Sequence, residues 1–208
     1  TKYNNDLPST FESEFLNAKV DYAGTQRPQV LDTLARLLNN FDKQMLPEDK
    51  FRLQKFQWEV LLKHAPAKLL DRVEQPLPAD MPAHQKAWFE GMKSLVLAKA
   101  GERNGAASRM KSSLALGEQA YNATNPELAQ LYGYLLETAS LIDDPLLVEF
   151  LLSKQQSIYL ALAPLFEERL IKVYEQQHNY YAYGKMYAQS VSFIESAVAL
   201  CAQGPRCS

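Results

Sequence analysis

Apolar residues recur at helical spacing along most of the chain, and this periodicity constrains the fold more than any other feature. Leu31, Leu34 and Leu38 follow it near the amino end, and Leu128 and Leu131 follow it in the second half. Residues three and four positions apart lie on one face of a helix. Alternation of apolar and polar residues, which would indicate strands, never persists for five or six positions. The sequence therefore predicts an all-α fold.

Prolines and glycines divide this pattern into segments. The prolines that precede or open an apolar stripe are Pro28, Pro47, Pro126 and Pro145. Proline fits the first turn of a helix, and Gly24 and Gly101 stand where helices should end. The chain has only 8 glycines against 11 prolines, whereas a βαβ enzyme needs glycines for its turns and phosphate loops. We expect about nine or ten helices, paired by short turns into antiparallel hairpins.

The length and composition favour one folded domain over residues 1–208. With 208 residues, 47% of them hydrophobic, the chain is long and apolar enough to bury a substantial core. One segment, 74–83, carries three prolines within seven positions and should be a loop. No shift in composition accompanies it, so we interpret it as a seam within a single helical-repeat domain.

The charge and hydropathy of the chain argue against two classes of partner. The formal net charge is −2, from 22 basic and 24 acidic residues. This balance gives no basic surface for nucleic acid. No run of 18 apolar residues occurs, so the sequence predicts no membrane span within this chain.

Sequence signatures of catalysis are missing. There are only three histidines, without a His-x-x-x-His pair, and no nucleophile elbow or phosphate-binding glycine loop occurs. The adjacent Asp143 and Asp144 precede a predicted helix, where carboxylates act as caps. We therefore predict no enzymatic activity, no cofactor and no metal site. An all-α enzyme is the least favoured class, since it would need a convergent polar site.

Tyrosines crowd into one short segment near the carboxyl end. We expect a turn at His178-Asn179 and a last helix from Tyr180 to about residue 202, so that Tyr180, Tyr183 and Tyr187 share one face. Tyrosine offers apolar area with a hydrogen-bonding tip, which suits recognition. Packing against the preceding helix is the alternative. The candidate binding residues are Tyr174, Tyr180, Tyr183, Tyr187 and Trp88.

Both cysteines, Cys201 and Cys207, lie in the last eight residues. A Gly-Pro pair between them indicates a turn that would bring the thiols together. The sequence predicts a disulfide, with two unpaired thiols as the alternative. A disulfide indicates an oxidising compartment. Because residue 1 is Thr, we also expect the natural start to be missing, and we predict an extracytoplasmic, periplasmic location.

The predicted hairpins recur with a degenerate period of about 40 residues, which is typical of a solenoid. The pattern is carried by Trp88, Leu95, Gly101, Ala107 and Leu114-Ala115. It resembles tetratricopeptide-like repeats over residues 84–200, with Gly91 standing where that family prefers a larger residue. The resemblance implies a right-handed solenoid whose concave groove binds peptides or proteins. It supplies no ligand-binding residues at matching positions.

Two functions remain open at this point. The first is a non-enzymatic module that binds a protein or peptide, such as the extracytoplasmic sensor region of a bacterial membrane signalling protein. The alternative is a small-molecule or lipid sensor with an apolar cavity between helices, lined by Trp58, Trp88 and tyrosines. An apolar tunnel would favour the alternative, and an open groove would favour the first.

The predicted last helix is apolar on more than one side. Val191, Ile194 and Val198 lie on a different side from Phe193 and Ala197. The end of a solenoid exposes an apolar face unless a capping element covers it. We therefore predict that the carboxyl-terminal helix packs on another subunit, as in a homodimer, or on the rest of a larger protein.

Overall fold

A computed structural model describes residues 7–163 and 165–203 of the chain. These residues form ten α-helices and no strand, which confirms the predicted all-α class and the predicted number of helices. The chain divides into two compact units between Pro76 and Leu77. This division falls inside the proline-rich segment 74–83.

Unit 1 contains the first four helices, which are α1 (Leu7–Thr25), α2 (Val30–Phe41), α3 (Pro47–His64) and α4 (Ala67–Val73). Its core is aromatic where α1 meets α3. Phe15 is buried, and its ring packs edge-on against Phe56 with 6.0 Å between centroids. Tyr22 packs against the same Phe56 ring at 5.6 Å, and its hydroxyl lies 3.0 Å from Nε2 of His64. Leu34 and other α2 residues complete this core.

Unit 2 contains six helices, which are α5 (Ala83–Lys99), α6 (Arg103–Ala120), α7 (Pro126–Leu141), α8 (Pro145–Ala161), α9 (Glu167–Tyr183) and α10 (Tyr187–Gln203). Consecutive helices pack as the pairs α5–α6, α7–α8 and α9–α10, and α7 also packs on α5 and α6. α8 in turn packs on α9. The unit is therefore an array of three helical hairpins, as predicted.

A regular period relates the three hairpins of unit 2. Their first helices begin at residues 83, 126 and 167, and their second helices begin at residues 103, 145 and 187. Successive hairpins are therefore 41 to 43 residues apart, which confirms the predicted period. A buried hydrogen bond recurs at equivalent positions of the first two hairpins. Ser113 Oγ donates to the Ala87 carbonyl oxygen at 2.7 Å, and Gln155 Nε2 donates to the Ala129 carbonyl oxygen at 2.8 Å.

Several helix starts follow the predicted punctuation. Pro126 and Pro145 are the first residues of α7 and α8. The side chain of Asn125 accepts a hydrogen bond from the Glu127 backbone N–H at 2.8 Å, and Asp144 Oδ1 accepts one from the Leu147 N–H at 3.1 Å. Such caps satisfy backbone donors that have no partner within the helix.

Close approach of the helices in unit 2 depends on a missing side chain. At Gly117 of α6, an added Cβ would lie 2.5 Å from Leu131 Cδ2 of α7 and 3.9 Å from the Ala87 Cβ of α5. Glycine therefore lets three helices meet at this point.

The predicted turn at His178-Asn179 is wrong, because both residues lie inside α9. The chain instead turns at residues 184–186, where Lys185 adopts a positive φ of 59°. Ser190 Oγ of α10 lies 2.8 Å from Nδ1 of His178 across this turn. Cys201 lies near the end of α10, whereas Cys207 lies outside the described residues. The disulfide therefore stays a prediction.

Candidate functional site

Unit 2 contains an open groove of about 770 Å³ between α7 and α9, which we call the α7–α9 groove. It is bounded by the second half of α7, the first half of α8, and the end of α9 with the turn that follows. Its lining residues are Gly133, Leu136, Glu137, Ala139, Ser140, Asp143, Asp144, Pro145, Val148, Leu152, Gln176, Asn179, Tyr180, Tyr183, Gly184 and Met186.

The bottom of the groove is apolar and comes from α7 and α8. Val148 is 4% exposed and Leu152 is 2% exposed, and both line the groove. The rim residue Tyr183 is in contrast 94% exposed. α8 packs on both α7 and α9, so its first turns hold the two walls apart. The groove follows from this arrangement of one hairpin against the next.

One face of α9 forms an aromatic and amide-bearing wall. Gln176, Asn179, Tyr180 and Tyr183 are spaced so that they share a face of the helix. The Tyr180 hydroxyl donates to the Pro145 carbonyl oxygen at 3.3 Å and ties the wall to the start of α8. The amides of Gln176 and Asn179 are exposed. This wall combines apolar area with hydrogen-bonding groups.

The electrostatic surroundings of the wall disfavour negative charge. Burial raises the pKa of the Tyr180 hydroxyl, and the nearby carboxylate of Glu149 raises it further. The pKa of Tyr181 is raised for the same two reasons. Both effects disfavour the phenolate, so the two hydroxyls remain neutral donors at ordinary pH.

The opposite end of the groove is acidic. Glu137 of α7 and the adjacent Asp143 and Asp144 before α8 all line it. Asp143 is exposed and adopts a positive φ of 64°, a conformation that aspartate tolerates better than most residues. The Glu137 carboxylate pairs with the Lys99 ammonium. The remaining two carboxylates have no ion pair among those resolved in the described part of the chain.

The structure separates the predicted binding residues. Tyr180 and Tyr183 line the groove, whereas Tyr187 belongs to α10, is 64% exposed and lies outside the lining. The prediction that these three tyrosines share one helix face is therefore wrong. Tyr174 is 8% exposed, and its ring stacks on Phe193.

Trp88 is also part of the packed interior. Only 4% of it is exposed, and its ring packs edge-on against Phe89 at 5.0 Å and Tyr134 at 6.2 Å. Trp58 of unit 1 is 6% exposed. Neither indole lines the α7–α9 groove.

The acidic end of the groove is the part that sequence reasoning missed. Asp144 does cap a helix, as predicted, but Asp143 does not share this bond and instead lines the groove. Glu137 carried no motif at all. The repeat period was the one available signal for this acidic end. It makes α7 and α9 the first helices of successive hairpins, so that the turn after α7 lies beside the end of α9.

The described residues give little support for a metal site or for a Ser–His catalytic pair. In residues 7–163 and 165–203, no group of three or more His, Cys, Asp or Glu side chains is placed to hold a metal ion. Ser190 and His178 are within hydrogen-bond distance, but Ser190 is only 2% exposed. A substrate therefore has no access to this hydroxyl. Over the same described part of the chain, no helix is long and apolar enough to cross a membrane.

The sequence matches no protein-family profile and no curated protein sequence. Two crystal structures of nearly identical TPR-like repeats from a candidate kinesin light chain of Podosopora anserina are similar to this chain, each with a TM-score of 0.63 and 13% sequence identity. One covers 94% of this chain and 96% of its own, and the other covers 96% and 98%. The fold is TPR-like.

The TPR-like fold confirms the resemblance that the residues of 84–200 carry. The structural similarity also extends beyond that range, since it covers 94% of the chain or more. Unit 1 therefore contributes to the TPR-like fold, although its residues show no repeat pattern of their own. The α7–α9 groove lies between two successive hairpins of this fold.

Proposed function

We propose that this chain is a non-enzymatic binding module that takes a peptide segment of a protein partner into the α7–α9 groove. The observation that carries this proposal is the α9 wall, where tyrosines and exposed amides face an open groove of about 770 Å³. That volume is within the usual range for binding sites. Tyrosine side chains are also frequent hot spots of protein interfaces.

The TPR-like fold supports this proposal in general terms. Helical-repeat proteins use the extended surfaces created by stacked hairpins for binding. The similar structures are TPR-like repeats of a candidate kinesin light chain. The exposed amides of Gln176 and Asn179 are suited to the backbone of an extended peptide, because each amide has both a donor and an acceptor.

Selection of random peptides displayed on phage tests this function. We expect peptides that bind the wild-type protein to lose affinity about tenfold or more when Tyr183→Ser removes a rim ring, since interface tyrosines contribute strongly. Tyr187→Ser is the matched control, because Tyr187 is exposed but lies outside the groove. Equal binding to both variants, or no enriched peptide, would contradict the proposal.

A second candidate function rests on another groove, between α6 and α8. It has a volume of about 450 Å³ and is lined mainly by Met110, Leu114, Leu146, Leu147 and Phe150. Its apolar lining favours the small-molecule or lipid alternative, although neither Trp58 nor Trp88 contributes to it. Fatty acids should raise the unfolding temperature if this site is used, and Leu147→Asp should abolish that shift.

The proposed setting is an extracytoplasmic sensor region of a bacterial membrane signalling protein. Its support is the spacing of Cys201 and Cys207 in the sequence. Thiol alkylation of the unfolded protein, with and without reductant, tests the predicted disulfide by mass. Labelling of both cysteines without reductant, in protein purified from the periplasm, would remove the support for this setting.

A homodimer through α10 is the remaining part of the proposal. The support is its exposed apolar side, where Val191 is 48% exposed and Val198 is 62% exposed. In unit 2 the other second helices, α6 and α8, each pack on the hairpin that follows them. By analogy, the exposed apolar side of α10 would pack on the same side of a second copy.

A further inference from the structure

The groove has a charge of one sign. Apart from tyrosine, the ionisable side chains that line it among the described residues are all carboxylates, from Glu137, Asp143 and Asp144. A fourth carboxylate, from Glu149, lies close enough to raise the pKa of Tyr180. The acidic end and the tyrosine wall are therefore parts of one negatively charged surface.

In the described part of the chain no cation is ion-paired with Asp143 or Asp144, although Lys111 lines the adjoining α6–α8 groove together with Asp144. The Lys99 ammonium pairs with Glu137, so it does not neutralise Asp143 or Asp144. Lys185 lies in the turn between Gly184 and Met186 but does not line the groove. Asp144 uses one oxygen to cap α8. Asp143 is exposed at the rim, so its carboxylate faces a ligand without a competing bond in the described structure.

Apolar contacts lie next to these carboxylates. Leu136 and Val148 line the same groove as the aspartates, and Tyr183 and Met186 line its other rim. A ligand that fills the groove therefore meets apolar surface and negative charge together. Tyrosine faces also attract cations, which adds to the effect of the carboxylates.

We propose that the peptide bound in the α7–α9 groove carries a lysine or arginine next to an apolar residue, with the cation at Asp143 and the apolar side chain against Tyr180 and Tyr183. This inference rests on the function proposed above and specifies its ligand. An acidic peptide would place like charges together, which opposes binding and gives specificity. The basic residue selects the peptide, and the apolar residue supplies most of the contact.

The phage selection described above, followed by affinity measurements on the synthetic peptides it yields, tests this inference. Basic residues next to apolar ones should be enriched among peptides selected on the wild-type protein. Asp143→Asn should weaken these peptides about two- to fivefold, as expected for an exposed ion pair. Asparagine also tolerates the positive φ at this position, so the fold should be retained. Raising the salt concentration should weaken wild-type binding and have less effect on the variant.

Glu175→Gln is the matched control, because Glu175 is an exposed carboxylate of α9 that does not line the groove. Its affinity for the selected peptides should equal that of the wild type. If the selected peptides depend on Tyr183 but are neutral or acidic, or if Asp143→Asn binds them as tightly as the wild type, the charge inference fails and the binding function stands. If no selected peptide depends on Tyr183, the binding function itself fails.

Discussion

At the scale of single residues, one glycine allows three helices to pack closely. Helical glycine normally costs up to about 1 kcal/mol relative to alanine. At Gly117 a larger residue is disfavoured sterically, because an added Cβ would lie 2.5 Å from Leu131 Cδ2. Leu131 is 2% exposed, so it has little room to move away. The local preference for alanine and the packing requirement therefore oppose each other here.

We predict that Gly117→Ala lowers the free energy of unfolding by about 1–3 kcal/mol, as overpacking of a core does. Gly24→Ala is the control, because nothing lies within 4 Å of a Cβ added there. That substitution in α1 should raise the free energy of unfolding by up to about 1 kcal/mol. Urea denaturation of both variants measures the difference. If Gly117→Ala instead stabilised the protein, Leu131 of α7 would have moved to accommodate the added methyl group, and the prediction would be wrong.

Tyr132 provides a second prediction at this scale. It is 2% exposed, and its hydroxyl donates to Glu118 Oε1 at 3.3 Å. Burial, followed by the charge of Glu118, raises its pKa above the ordinary value of 10.0. The folded state therefore keeps the proton to a higher pH than the unfolded state does. The contribution of protonated Tyr132 to the free energy of unfolding is fully present below about pH 10 and is lost as the pH rises further.

We expect the free energy of unfolding to fall above about pH 10, and to fall less steeply in Tyr132→Phe than in the wild type. The variant should lose about 0.5–1.5 kcal/mol at pH 7, the usual net value of a hydrogen bond. Tyr183→Phe is the control, because Tyr183 is 94% exposed. Chemical denaturation between pH 7 and pH 11 measures the slopes. Identical slopes in the wild type and Tyr132→Phe would refute the linkage.

At the scale of helices, local chemistry predicted where elements begin better than where they end. Asn125-Pro126 and Asp144-Pro145 mark starts that the structure confirms, because a cap and a proline act within one turn. The turn after α9 was placed wrongly at His178-Asn179. Those residues are tolerated inside a helix that tertiary contacts stabilise, and His178 contacts Ser190. Gly184 was the better signal.

This misplaced turn explains why the site could be predicted only in part. With the turn at residues 184–186, Tyr180 and Tyr183 stay on α9 and reach the groove, while Tyr187 begins α10. Tyr174 and Trp88 are not part of the site for a different reason. Both are buried, because aromatic residues at helical spacing also form cores. The acidic end depends on contacts between hairpins, which no local pattern encodes.

The α10 helix carries a prediction about association. Val198→Glu should remove concentration-dependent dimerisation, because it places a charge in an apolar interface. Val20→Glu is the matched control, since Val20 and Val198 are both 62% exposed. Light scattering over a range of protein concentrations measures the mass. A wild-type protein that stays monomeric at all concentrations would rule out the dimer.

At the scale of the whole molecule, the segment between the two units should be the most accessible of the segments that the structure describes. Residues 74–82 form no helix and are mostly exposed. We expect proteinase K to cut first near Ala79 and Asp80, where the backbone can enter a protease and neighbouring prolines do not block cleavage. Mass spectrometry of early products identifies the site. A first cut in the 122–124 turn, which is exposed too, would contradict this expectation.

The repeated hydrogen bond of unit 2 has a consequence for how such a gene changes over generations. Ser113 bonds to Ala87, and Gln155 bonds to Ala129 one hairpin later. The first two hairpins of unit 2 thus each contain their own buried hydrogen bond between helices. An unequal crossover that duplicates or deletes one such stretch would keep the reading frame and join like surfaces. Arrays of this kind can therefore lengthen or shorten by whole hairpins. Selection then acts on the new grooves that form between existing hairpins.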